Sequence, residues 1–156
     1  MKKRILSLYV ENDVGVLAKI SGLFSGKCYN LDSLTVGATE DETVSRITIT
    51  LTGDDEVYEQ IKKQLNRCIE VIKVIDFTDF EVVSREHMYL KITAAPGTEV
   101  LLEGFPAKVV RTGAEEILIE QTAKEQENTR LIEKLRATGR VLEVIRGGAI
   151  AIINAV

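Results

Sequence analysis

Ile5-Leu6-Ser7-Leu8-Tyr9-Val10-Glu11-Asn12-Asp13-Val14-Gly15-Val16-Leu17-Ala18-Lys19-Ile20 carries two periodicities in succession. Leu6, Leu8 and Val10 alternate with less apolar residues, the signature of a strand with one buried face. From Val16 the period changes. Val16, Leu17, Ile20, Leu23 and Phe24 recur at helical spacing and form one apolar stripe, with Gly26 closing the segment. Asn12-Asp13, between the two, is read as the helix N-cap.

Working outward, Asn30 to Val36 reads as a second strand and Gly37 to Thr43 as a polar turn. Val44 to Leu51 reads as a third strand, with Ile47, Ile49 and Leu51 inward and Arg46, Thr48 and Thr50 outward. Gly53-Asp54-Asp55-Glu56 opens a second helix whose acids favourably meet the macrodipole. Val57, Ile61, Leu65 and Cys68 are its buried stripe, and Val71 to Phe77 is a fourth strand. The order is βαββαβ, the ferredoxin-like unit.

The second half repeats that order. His87 to Ala94 is a strand with Met88, Leu90 and Ile92 on one side, broken by Pro96 and Gly97. Thr98 to Phe105 has room for only about two helical turns. Ala107 to Thr112 and Glu116 to Gln121 form a hairpin around Gly113-Ala114. Thr122 and Glu125 have capping-box spacing ahead of a helix anchored by Ile132 and Leu135. Gly148 to Ile153 is the last strand. The expected fold is α+β: two tandem ferredoxin-like domains, residues 1–77 and 87–156, joined by a linker at 78–86.

The chain has 156 residues, 45% apolar and 28% charged, with a net charge of −4. That is the balance of a folded, soluble protein. No apolar run approaches the roughly 20 residues of a membrane span. The basic start Met1-Lys2-Lys3-Arg4 resembles that of a signal peptide, but Glu11, Asn12 and Asp13 interrupt the apolar stretch that would have to follow. A cytoplasmic location is expected. Acidic and basic residues are interleaved, leaving no concentrated patch for nucleic acid.

Residues suited to catalysis are scarce. His87 is the only histidine, so no histidine cluster is available for a metal, and it is read as a rim residue. Cys28 and Cys68 have neither metal nor redox spacing and are read as reduced, half-buried thiols. No nucleophile elbow, P-loop or dinucleotide fingerprint is present. Neither a catalytic residue nor a metal ligand is assigned.

The loop from Glu11 to Leu17 has different chemistry. A helix N-terminus presents unpaired N–H groups and positive potential, which suit a carboxylate. Gly15 lets a ligand approach the backbone, and Asn12 offers both an acceptor and a donor. Such a loop suits the zwitterionic end of a free amino acid. An N-cap Asn with a packing Gly accounts for the same residues equally well.

Three stretches carry a family resemblance: Ile5 to Leu17, Gly22-Leu23-Phe24-Ser25, and Tyr29-Asn30-Leu31-Asp32-Ser33-Leu34-Thr35-Val36. Together they resemble the ACT domain of acetolactate synthase small subunits. Val44-Ser45-Arg46-Ile47-Thr48-Ile49, Gln60-Ile61 through Gln64-Leu65, and Val71-Ile72-Lys73-Val74 continue the match in register. Glu86 to Ile92 and Leu142 to Gly148 resemble that family's C-terminal domain. Val14, Lys19 and Lys27-Cys28 depart from its usual residues.

The resemblance implies a non-catalytic regulatory subunit. Such a subunit binds and activates the large catalytic subunit, and it confers feedback inhibition by valine or a related branched-chain amino acid. Thiamine diphosphate, Mg and FAD are expected on that partner and none on this chain. The resemblance also implies a homodimer through the ACT domains. The effector would lie between Asn12, Asp13, Val14, Gly15, Val16 and Leu17 of one protomer and Asn30 and Leu31 of its mate. Two other readings stay open: a free-standing sensor that regulates a different enzyme, and an RNA-binding module. The second needs aromatic residues on the central strands, and Val44 to Leu51 has none.

Overall fold

The computed structural model describes residues 2–26 and 29–154; Cys28 lies outside them. The chain forms β1 (Lys2–Glu11), α1 (Val16–Ser25), β2 (Ser33–Ala38), β3 (Val44–Gly53), α2 (Asp55–Leu65) and β4 (Val71–Asp76). Then follow β5 (Val82–Thr93), α3 (Thr98–Leu102), β6 (Ala107–Thr112), β7 (Glu116–Ala123), α4 (Glu125–Arg136) and β8 (Val141–Ile153). The βαββαβ order therefore occurs twice, building four-stranded sheets of order β2-β3-β1-β4 and β6-β7-β5-β8. Two compact units result. One comprises the residues up to Val83 together with Ala149 onward; the other is Ser84–Gly148.

In the first unit, alternate residues of the two central strands meet the helices. Leu6, Leu8 and Val10 of β1 and Ile47, Ile49 and Leu51 of β3 are buried with Val16, Ile20 and Phe24 of α1 and Tyr58, Ile61 and Leu65 of α2. Three details differ from the sequence reading. Val16, Ile20 and Phe24 follow one line along α1, so Leu17, turned off that line, leaves the stripe and is 44% exposed. β2 begins at Ser33 rather than Asn30, after Asp32 N–H has bonded Thr50 O at 2.9 Å. Thr48 and Thr50 lie on the outward face as expected, yet they are buried, along with Ser7. The final residues of β8 belong to this unit, and Ala149 and Ala151 among them are buried.

Asp54 caps α2 by accepting from Val57 N–H at 2.9 Å. Tyr58, absent from the expected stripe, is buried within it and donates its hydroxyl to Asp76 Oδ1 at 2.6 Å. Burial, reinforced by that bond, pushes the Tyr58 hydroxyl far above its ordinary pKa. Burial of Asp76 acts against ionisation, but hydrogen bonds from Lys62, Thr78 and Tyr58 prevail and hold its carboxyl well below the carboxylate range. A carboxyl with a lowered folded pKa stabilises the fold fully above its unfolded value, and the contribution drains away as pH falls toward the folded one. Asp76→Asn is therefore expected to cost about 2 kcal/mol at neutral pH. Chemical denaturation across pH should show the gap to wild type narrowing below about pH 4; a gap independent of pH contradicts this account.

In the second unit, Met88, Leu90 and Ile92 of β5 and Ile117 and Ile119 of β7 pack against Leu102, Leu131, Ile132 and Leu135. Gly97 (φ 79) and Gly104 (φ 82) bracket α3 in left-handed conformations, which keeps it to a short turn. The capping box expected at Thr122 and Glu125 is not formed. Thr122 stays in β7, where its hydroxyl meets His87 Nδ1 at 2.8 Å, and Lys124 is the N-cap. The Glu127 carboxylate accepts from Lys124 N–H at 3.2 Å, the one half of such a box that an ammonium side chain permits. β5 and β8 both start well before the strands expected at His87 and Gly148. Among the described residues no helix is long and apolar enough to cross a membrane.

Candidate functional site

β1 ends in a clamp. Glu11 N–H donates to Glu70 O at 3.0 Å, and Asn12 N–H donates to Thr43 O at 2.8 Å. The Asn12 side chain makes no helix cap. Its amide donates to Glu42 O at 2.9 Å, and its oxygen accepts from Ser45 Oγ at 2.9 Å. The N-cap position belongs instead to Gly15, at φ 88, with no side-chain hydrogen bond. This corrects the reading of Asn12-Asp13 as the cap. A left-handed φ strains most L-residues, which is a sufficient reason for glycine here.

The consequence is a bare helix terminus. Val16 N–H reaches Asp13 O at 3.3 Å and Lys19 N–H reaches Gly15 O at 3.0 Å. Neither the Leu17 nor the Ala18 N–H meets a backbone acceptor among the described residues. These are the second and third helical positions, whose donors an N-cap side chain ordinarily satisfies. A Cβ built on Gly15 would meet no heavy atom within 4 Å, so the approach is open. Val14 is fully exposed and Leu17 partly so, while Val16 points into the core. Beside this terminus Lys19 Nζ pairs with Glu70 at 2.6 Å. That bond raises the lysine pKa and lowers the carboxylate's. The arrangement supplies amide donors for a carboxylate flanked by exposed apolar side chains, and no group in it acts as a nucleophile.

Asn30 and Leu31 lie elsewhere. Asn30 is exposed, and Leu31 packs on the core of the first unit. They precede Ser33, which is level with Thr50 and hence Ile5, whereas Glu11 is level with Val44. The rise from Ile5 to Glu11 is roughly 20 Å at about 3.3 Å per residue. A single chain therefore places the two expected walls at opposite ends of one sheet. The sequence reading missed Ser45 and Glu42, which hold Asn12; only their place at the β3 turn, opposite the end of β1, marked them.

Residues 6–73 match the family described as AHAS small subunit-like ACT domain, and residues 85–155 match small subunit of acetolactate synthase. The acetolactate synthase small subunit of Bacillus subtilis is 41% identical over 96% of this chain and 89% of its own length. The probable acetolactate synthase small subunit of Archaeoglobus fulgidus is 39% identical over 97% of both chains. The crystal structure of the acetolactate synthase small subunit from Thermotoga maritima superposes with a TM-score of 0.87 at 31% identity, covering 99% of this chain and 98% of that one.

Proposed function

Because the chain belongs to the acetolactate synthase small-subunit family, and is thus a regulatory rather than catalytic subunit, we propose that it binds the large catalytic subunit, activates it, and makes it sensitive to valine or a related branched-chain amino acid. The condensation chemistry, with thiamine diphosphate, Mg and FAD, belongs to that partner, and the complex acts in the cytoplasm. The effector sits on the α1 terminus, with its carboxylate at the Leu17 and Ala18 amides and its side chain against Val14 and Leu17. The ammonium meets the Asn30–Leu31 backbone of a second copy.

The separation of the two walls along one sheet is the observation that carries this reading. A site built from both needs a two-fold partner, and β2 at the sheet edge offers an unpaired ladder for one. Antiparallel apposition of two β2 edges runs the strands in opposite directions. It thereby brings Asn30 of one copy to the end of the sheet where α1 of the other begins. An effector bound across that contact favours one packing over another, which is what regulation requires.

Adding this chain to its cognate catalytic subunit is expected to raise acetolactate production several-fold, on the order of 1 kcal/mol in apparent activation free energy. L-valine is then expected to reverse that gain. An unchanged rate with the two chains mixed at micromolar concentration argues against the whole assignment.

A further inference from the structure

The two proposed walls lead, through separate side chains, to one short piece of backbone. From the Asn12 side the route runs through β3. Ser45 holds the Asn12 oxygen, and the next residue, Arg46, turns to the opposite face of the sheet. There its Nε donates to Ser7 Oγ at 2.7 Å and its Nη2 donates to Ala151 O at 2.8 Å. From the Asn30 side the route runs through β2. Thr35 Oγ1 donates to Ala149 O at 3.2 Å, and Ser33, whose hydroxyl lies 2.7 Å from that of Thr50, accepts from Ala149 N–H at 3.5 Å. Ala149 and Ala151 are buried, whereas the intervening Ile150 is 59% exposed. Small side chains on the inner side let the strand lie close enough for these hydroxyl and guanidinium groups to reach its backbone.

We infer that Arg46 is a positioning residue that passes the state of the effector loop to the last turns of β8, with Thr35 doing the same from β2. The inference rests on the effector site proposed above. Arg46 is half-buried, its guanidinium 5.4 Å from the centre of the Tyr9 ring, and it does not approach the ligand position. Its planar fork spans two acceptors at fixed angles, Ser7 on β1 and Ala151 on β8, so a shift of β1 or β3 moves β8. Asn12 and Ser45 sit at the ends of those same two strands. Closure of the loop on an effector is therefore felt at Ala151 as strain or relief. Residues 149–153 continue the strand that the chain brings from the second unit, so the signal leaves the ACT domain along covalent backbone.

The test uses the full chain reconstituted with its catalytic subunit, with L-valine as the probe. Calorimetry on the small subunit reports binding, and inhibition of the holoenzyme reports coupling. Arg46→Met is expected to bind valine and to activate about as wild type does, yet to need roughly tenfold more valine for half-inhibition. Arg46→Lys, which keeps one donor, should recover part of that loss. Unchanged inhibition in Arg46→Met overturns the inference; so does a parallel loss of binding and inhibition, which would make the residue part of the site or of the fold. If Arg46→Met does not fold, Thr35→Val decides: inhibition weakened without weaker binding supports the coupling, and no change removes it. A wild-type chain that binds neither valine, leucine nor isoleucine would sink the effector reading itself, and the coupling with it.

Discussion

Gly15→Asp is expected to weaken valine binding on the order of 100-fold, about 2.7 kcal/mol, while leaving activation of the catalytic subunit within roughly a factor of two. The effect has two sources. An aspartate at the N-cap accepts from the second and third helical N–H groups, here Leu17 and Ala18, the donors assigned to the ligand carboxylate. It also sets one negative charge against another at the site, where like charges repel strongly. No heavy atom lies within 4 Å of the added Cβ, so the cost to folding is that of the left-handed backbone, roughly 1–2 kcal/mol. Gly15→Ser separates the two sources, because a hydroxyl takes the same donors without charge. It is expected to weaken binding by roughly tenfold, one amide hydrogen bond to a charged group. Calorimetry on the three proteins checks both numbers, and retained affinity in Gly15→Asp removes the α1 terminus from the site.

Much of the first unit was legible because apolar residues recur at every second position of its central strands and its helices are amphipathic. Leu6, Leu8 and Val10, and Ile47, Ile49 and Leu51, follow the strand period and are buried as that period demands. What periodicity does not carry is what covers the other face of a sheet. Thr48 and Thr50 read as outward residues because their hydroxyls are polar, and nothing local indicates that the end of β8 belongs to this unit. The same blindness shortened β8 in the sequence reading. Leu142 to Arg146 does not alternate cleanly, and the sequence reading began the strand only at Gly148. Instead Gly148 takes a left-handed φ of 81 within a continuous strand. At the site, the loop was legible as a bare helix terminus, but the roles within it were not. A cap by Asn12 and a tie from Asn12 to Ser45 and Glu42 require the same residue type, and only the register of β1 against β3 decides between them.

Register also hides the polar centre of the second unit, where the largest effect on stability is expected. Glu86, 5% exposed, receives Arg146 Nε at 3.0 Å and Nη2 at 2.5 Å. Asn128, fully buried on α4, donates to Glu86 Oε2 at 3.0 Å and accepts from Gln121 Nε2 at 2.9 Å. These bonds tie β5, β7, α4 and β8 together around one buried carboxylate. Arg146→Met removes the counter-charge and leaves the buried carboxylate to the Asn128 amide, and breaking a buried pair in this way typically costs about 3–5 kcal/mol. For a small unit that is a large share of a total stability of roughly 5–15 kcal/mol. Glu86→Gln in the same background removes the stranded charge and keeps an oxygen for Asn128, so the double variant should recover about half of the loss. Denaturant melts of the two variants check the cycle. If Arg146→Met costs no more than about 1 kcal/mol, the pair behaves as a solvent-screened surface bridge, and the second unit is held together by its apolar core alone.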